Sequence, residues 1–359
     1  MKIVAVNTKQ EQKKFLSFRK SIYKTNSIYV DNNLFMIKEL FNGTTSFVKG
    51  KKIQAYNIYK KDKIVCQGIV MYTKKLPEYI QLCSLEVLEN NTKAIDLLIK
   101  KTIEIGKKYN CKKLVVGLYG HVNYGLGFQY SDYDKKNSFS SNANPKYYNE
   151  YFDNNNYEKV LLNTYKTKAK AESLLRYKNL INKLNNNYEF RYFDKHNFDY
   201  YSKIYTDLNN KAFINHRYYY KRKYEEDKEM LKELFLFMKR DSLIFAFKDN
   251  KPVGFVMWYP DYNELAKPGD AFGPIHFIKN IFLNKTIKTG KIMEYGILEE
   301  YRKSGLVMGL LNQVFIALKK HKIDNVISSW ILEENKDSNS VCQAFCEKDK
   351  RYVVYEKEI

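Results

Sequence analysis

At 359 residues, 44% of them apolar, the chain has material for two sizeable cores, which excludes a disordered protein. No apolar run reaches the roughly 18–20 residues of a membrane span, and the opening MKIVAVNTKQEQKKF turns polar too early for a signal peptide. The formal net charge of +22 raises nucleic acid as a partner. The lysines, however, are spread along the chain among abundant Asn, Ile and Tyr, as an AT-rich coding sequence would give, so nucleic acid is set aside. Five cysteines, an odd number without a C-x-x-C pair, fit a reduced cytoplasmic protein.

In chain order, apolar spacing predicts helices over Lys13–Tyr23 and Asn33–Phe41. A hairpin of Lys52–Tyr59 and Ile64–Tyr72 follows, then a strand at Tyr79–Val87, a helix at Thr92–Tyr109 and a strand at Lys112–Leu118. Glycines punctuate Gly117–Gly127, a loop with one histidine, His121, for which a structural hydrogen bond is the safer expectation. Asn142–Phe152 reads as a turn into a short aromatic helix, Asn154–Asn163 leads into a strand, and Thr167–Leu184 is a basic helix or linker. A polar break at Asn185–Asn187 divides the chain into residues 1–186 and 187–359.

The second half starts again with a strand at Tyr188–Phe193, helices at Tyr200–Ala212 and Tyr224–Lys239, and a hairpin of Leu243–Lys248 and Pro252–Tyr259. An insertion, Pro260–Gly290, carries Pro268, Gly269, Gly273 and Pro274. Then come a strand at Lys291–Leu298, a loop at Glu299–Leu306, a helix whose apolar residues recur from Leu306 to Leu318, and a strand at Asn325–Leu332. A helix at Lys336–Glu347 and a strand at Tyr352–Ile359 close the chain. The two halves share this order of elements, and Ile95 to Leu114 spans the same separation as Val307 to Val326, so the expectation is a duplicated α/β module with a mixed sheet.

The halves differ at one loop. Arg302, Lys303, Ser304 and Gly305 precede the second long helix, whereas Leu88, Glu89, Asn90 and Asn91 precede the first. Unpaired N–H groups at a helix start, a glycine that allows close approach and two cations make an anion site, so the N-terminal half is expected to lack one. Cys342 and Cys346, four apart without a nearby histidine, read as small buried residues, and no metal site is expected.

The loop resembles the pyrophosphate loop (Arg/Gln-x-x-Gly-x-Gly/Ala) of the GCN5-related N-acetyltransferase (GNAT) superfamily, with Val307 where a second small residue is usual. With GHVNYGLGF, the Asn144–Tyr148 run, GILEEYRKSGL and ILEEN in order, the whole chain looks like a tandem GNAT protein of the bacterial acetyltransferase type. The resemblance implies an N-acyltransferase that uses acetyl-CoA or another acyl-CoA and a small-molecule or peptide amine. It implies a splay between the strands Lys291–Leu298 and Asn325–Leu332, and pantetheine contacts from Ile297, Leu298 and Asn335. The pyrophosphate would lie on Lys303, Ser304, Gly305 and Leu306 beside Arg302, with Glu294 as the base. The helix after the second strand lacks the tyrosine that often serves as general acid; Tyr295 and Tyr352 are distant candidates. Two further readings fit the resemblance: an aminoacyl-tRNA-dependent transferase, and a non-catalytic acyl-CoA-binding protein. A monomer or homodimer is compatible with either half.

Overall fold

The N-terminal half opens with β1 (Lys2–Ala5) and α1 (Lys9–Ile22). Thr8 and Glu11 cap α1 reciprocally, the Glu11 N–H donating to Thr8 Oγ1 at 3.2 Å and the Thr8 N–H to Glu11 Oε2 at 3.1 Å. There follow α2 (Leu34–Asn42), β2 (Lys51–Lys60), β3 (Lys63–Thr73), β4 (Tyr79–Val87), α3 (Thr92–Lys108), β5 (Lys113–Val116), β6 (Phe128–Gln129), α4 (Lys146–Asn154) and β7 (Glu158–Lys168). After α5 (Lys178–Asn187) the order repeats as β8 (Glu189–Tyr192), α6 (Phe198–Ala212), α7 (Tyr224–Leu234), β9 (Leu243–Lys248), β10 (Lys251–Pro260) and β11 (Thr289–Ile297). The chain ends with α8 (Leu306–Lys320), β12 (Asn325–Ser328), β13 (Ile331–Leu332), α9 (Lys336–Gln343) and β14 (Glu347–Glu358).

This computed structural model describes the chain except residues 25, 27, 170–173, 175, 237, 272–275, 277–282, 284 and 285. Gly273 and Pro274 of the insertion, and part of the basic segment after Thr167, lie outside the described residues.

All the strands belong to one 14-stranded sheet, ordered β1-β2-β3-β4-β5-β14-β7-β12-β11-β10-β9-β8, with β6 on β14 and β13 on β7. Pairing is antiparallel except for β4 with β5 and β11 with β12. The two ends mirror each other: β1 to β5 run inward from one edge, β8 to β12 from the other. At the centre the halves exchange strands. β14, from the end of the chain, pairs with β5, while β7 of the first half pairs with β12. The exchange explains why β14 begins at Glu347 rather than the expected Tyr352, and why β7 runs on through Thr167, where a basic helix or linker was expected. They also pair with each other from Glu347↔Lys166 to Glu356↔Glu158, which keeps both extended beyond their apolar stretches. That long ladder also stops α9 at Gln343 rather than the expected Glu347.

Helices cover both faces, as the amphipathic pattern requires. On one face α3 buries Ala94, Leu98 and Thr102, and α8 buries Leu306, Leu310 and Val314, at matching spacings. On the other, α1 and α2 pack Phe15, Ile37 and Leu40, and α6 and α7 pack Ile204, Leu208 and Leu231. A fifth cluster, with Val115, Leu162, Tyr218, Leu332 and Val354, joins the halves under the exchanged strands.

A splayed strand pair and its carboxylate

The parallel pair β11–β12 begins at Thr289↔Asn325 and ends at Ile292↔Ser328, closed by the Ser329 N–H donating to the Ile292 carbonyl at 2.7 Å. Beyond that point β12 stops, while β11 runs on to Ile297 against β10 alone. The register shifts where Met257 faces Glu294 and Trp258 faces Ile292, so Met293 is an extra residue, a bulge that turns the strand at the point of divergence. A gap therefore opens between the two central strands.

The same divergence exists in the first half, where β4 and β5 part after Leu82↔Val116. The Leu88 N–H donates to the Val65 carbonyl at 2.9 Å, and the Leu298 N–H to the Val253 carbonyl at 3.0 Å, which aligns Val87 with Ile297 and Ser84 with Glu294. In the first half the gap is plugged. The Val87 N–H donates to the Tyr148 hydroxyl at 2.9 Å, and the Tyr147 hydroxyl donates to the Val87 carbonyl at 2.7 Å. Both tyrosines stand in the first turn of α4. The Tyr148 hydroxyl also donates to Glu86 at 2.8 Å, and Glu86 is buried against Arg19 and Tyr23. In α9 the third residue is Ser338 instead of a tyrosine, and the second gap stays open.

That gap belongs to a cavity of about 660 Å³. It is walled at the strands by Ile292, Tyr295, Ser328 and Ser329, and by Ser338 and Cys342 of α9, and it reaches Asn123 of the first half. Glu294 lines it, half-buried. Its Oε1 accepts from the Tyr205 hydroxyl, and its Oε2 from Asn209 Nδ2 at 3.1 Å and Asn123 Nδ2 at 3.2 Å. Among the described residues no lysine or arginine forms an ion pair with it. Oε1 accepts one of these bonds and keeps a further acceptor site. Behind Tyr205 lies Arg222, fully buried and 3.1 Å from Asp227, whose carboxyl burial pushes up to about 6.

Asn123 follows His121, which is fully buried in the glycine loop. The ring's Nδ1 accepts from the Asn123 N–H at 3.1 Å, and its Nε2 lies 3.1 Å from the Tyr220 carbonyl, which fixes a neutral tautomer with the proton on Nε2. Burial, then Arg222, holds the imidazole well below its ordinary pKa. The histidine is a structural anchor, and its neighbour reaches the site.

Of the remaining predicted site residues Asn335 lines the cavity, whereas Ile297, Leu298 and Arg302 to Leu306 lie outside its lining, at the end of β11 and the start of α8. Gly305 adopts φ +80°, the left-handed region, and turns the short 3₁₀ helix Glu299–Ser304 into α8. Arg302, Lys303 and Ser304 are exposed at this corner, and the Leu306 N–H donates to Ser304 Oγ at 3.3 Å. Arg302 Nε donates to the Ile297 carbonyl at 3.3 Å and its Nη2 to the Ala212 carbonyl at 2.9 Å. Leu298 has both main-chain groups engaged, its N–H with Val253 and its carbonyl with the Tyr301 N–H at 2.9 Å. Asn335 lines the cavity and caps α9, accepting from the Ser338 N–H at 3.1 Å. Tyr295 donates to Ser338 Oγ at 2.9 Å, with burial pushing its hydroxyl up to about 12, whereas Tyr352 is buried in the central cluster. Cys342 and Cys346 line the cavity, their thiols pushed up by burial to about 12 and about 11. Tyr205, Asn209 and Asn123 carried no motif. An asparagine in a glycine loop and a polar face on an otherwise apolar helix were the only marks available.

Residues 201–347, which hold the splayed pair, Glu294 and the glycine corner, match the sequence profile of the acetyltransferase (GNAT) family. Residues 201–347 are a GNAT domain. No curated protein matches the chain by sequence. Among solved structures, a tandem GNAT protein from the clavulanic acid biosynthesis pathway aligns over 99% of this chain and 98% of its own, with a TM-score of 0.57 at 10% identity. A GCN5-related N-acetyltransferase from Sphaerobacter thermophilus aligns over 99% and 95%, with a TM-score of 0.53 at 10% identity. The glucosamine N-acetyltransferase region of a fungal multi-domain β-N-acetylglucosaminidase scores 0.56 at 10% identity; this chain, 99% of it aligned, spans 38% of that protein. At such identities the likeness is one of fold, and the fold is tandem GNAT over nearly the whole length.

Proposed function

We propose that the chain is an acyl-CoA-dependent N-acyltransferase, with acetyl-CoA the most apt donor and an amine as acceptor. The observation that carries this reading is the contrast between the gaps: one is sealed by Tyr147 and Tyr148, the other opens beside Tyr295 onto a hydrogen-bonded carboxylate. Residues 187–359 are taken as the donor-binding module and residues 1–186 as the degenerate one. The residues present suit the donor. Gly305 admits a phosphate close to the start of α8, where Arg302 and Lys303 add charge, and Ile297 holds the main-chain position of Val87 in the sealed copy.

Acyl-CoA would supply the acyl carbon as a thioester. Glu294, held by Tyr205, Asn209 and Asn123, is placed to take a proton from the ammonium, directly or through water, so that its nitrogen gains a lone pair. The new C–N bond forms as the C–S bond breaks, and the second proton of the nitrogen passes to the departing thiolate. Calorimetry with acetyl-CoA, followed by thiol release in the presence of amines, tests the reading. Absence of acetyl-CoA binding at high micromolar concentration would overturn it.

A further inference from the structure

The cavity carries a charge opposite to that of its protein. Of 62 lysines and arginines in the chain, none lines it among the described residues, whereas Glu39, Glu226, Glu229, Glu233 and Glu294 all do. The acidic wall is assembled from both halves. Glu39 projects from α2, and Glu226, Glu229 and Glu233 occupy one face of α7, spaced by three and four residues. Glu39, Glu229 and Glu233 form no ion pair among the described residues; Glu229 instead accepts from the Ser46 N–H at 2.7 Å and Oγ at 2.8 Å. Glu226 is 4% exposed, and although its Oε1 pairs with Lys75 at 2.8 Å, its buried Oε2 has no hydrogen-bond partner.

Glu39, Glu229 and Glu233, gathered without a paired cation among the described residues, destabilise one another. Burial at the rim, with Glu39 and Glu229 beside it, pushes the Glu233 carboxyl up to about 7. A buried acceptor such as Glu226 Oε2 calls for a donor. Between the acids lie Phe35, Met36, Met230 and Leu234, so charge alternates with apolar surface along the wall. From Glu226 to Glu233 the helix rises about 10 Å, longer than one ammonium can serve.

We propose that the acceptor is a linear aliphatic di- or polyamine, one nitrogen placed at Glu294 and the distal ammonium groups on Glu39, Glu226, Glu229 and Glu233. This assignment rests on the acyl-transfer reading for its chemistry, but its recognition step is separate. Donor and acceptor then enter from opposite ends: the anionic donor by the Arg302–Lys303 corner, the cationic acceptor by the acidic rim.

The test is calorimetry on the full chain without any CoA, with n-butylamine, 1,4-diaminobutane and spermidine as probes. The diamine and triamine are expected to bind at least about tenfold tighter than the monoamine, the worth of one charge-assisted contact. The double variant Glu229→Gln/Glu233→Gln should remove that preference while its melting temperature stays close to that of the parent, and Glu39→Gln, on the other wall, should reduce it. Equal affinities for the three amines, or a preference unchanged in both variants, would overturn the proposal. Acetyl-CoA is titrated separately. Diamine preference without acetyl-CoA binding leaves this site standing and removes acyl transfer; acetyl-CoA binding without diamine preference removes this site alone.

Discussion

The Tyr148 hydroxyl accepts a hydrogen bond from the Val87 N–H at 2.9 Å, at the main-chain position that Ile297 holds in the other half. One copy of a duplicated strand has thus satisfied its diverging edge with the chain's own side chains. The expected consequence is a stoichiometry of one acetyl-CoA per chain. Tyr148→Phe, which orphans a buried N–H, should lower stability by about 1–3 kcal/mol and leave acetyl-CoA affinity unchanged, as urea unfolding and calorimetry would read. A second binding event in the parent would contradict the sealed gap.

Gly305 decides the other end of the open gap. Glutamate there places an anion where phosphate is proposed to lie and forces a side chain into a φ of +80°, which costs about 1 kcal/mol or more. Acetyl-CoA binding should fall below detection in Gly305→Glu while the far-ultraviolet dichroism keeps its shape. Retained affinity would place the donor elsewhere.

Glu294 is tested by separating binding from turnover. Glu294→Gln should leave acetyl-CoA affinity unchanged and lower kcat by about 10²–10⁴-fold, the range a general base supplies. Asn123→Ala removes one of the three donors at the carboxylate and should act in the same direction but less. It should also shift the pH profile, which loss of a merely structural contact would not do. An unchanged profile in the glutamine variant would remove Glu294 from the mechanism.

Lys291 gives a stability prediction with a defined sign. It is 1% exposed on β11, and its Nζ donates to the Phe139 carbonyl and to Ser141 Oγ, both at 2.7 Å. Burial lowers its pKa from 10.5 to about 8. Between these values the unfolded chain holds the proton more firmly than the folded one, so stability rises with pH from about 8 to about 10.5 and the cost of the buried charge is full below 8. Relative to Lys291→Met, the parent should gain on the order of 3 kcal/mol across that window, measured by chemical unfolding at each pH. A flat difference would mean that the amine keeps its ordinary pKa.

Much of the fold is visible in the residues because its elements are periodic and repeated. The faces of α3 and α8 and the strand Tyr79–Val87 follow from local spacing alone. The glycine corner is similarly local, a run of residues whose backbone needs are set by their neighbours. Strand exchange is different. Nothing local in Tyr352–Ile359 says that its partner is β5 of the other half, since an apolar strand suits any open edge. The donors to Glu294 are equally hidden, for Asn123 and Tyr205 lie 171 and 89 residues from it and meet only through the sheet. The anionic wall is masked by a composition that reads as basic throughout, because α2 and α7 become neighbours only after folding.

The exchanged strands also bear on how the chain comes into being. The edge of β5 at Lys113–Val116 is closed by residues 355–358, which a ribosome delivers long after β5 itself. Until then the first half holds an unfinished edge of Leu114, Val115 and Val116, a template to which another nascent chain could add. Loss of Glu347–Glu358 would therefore spoil the first half as thoroughly as the second. The N-terminal module is complete only once β14 has been made.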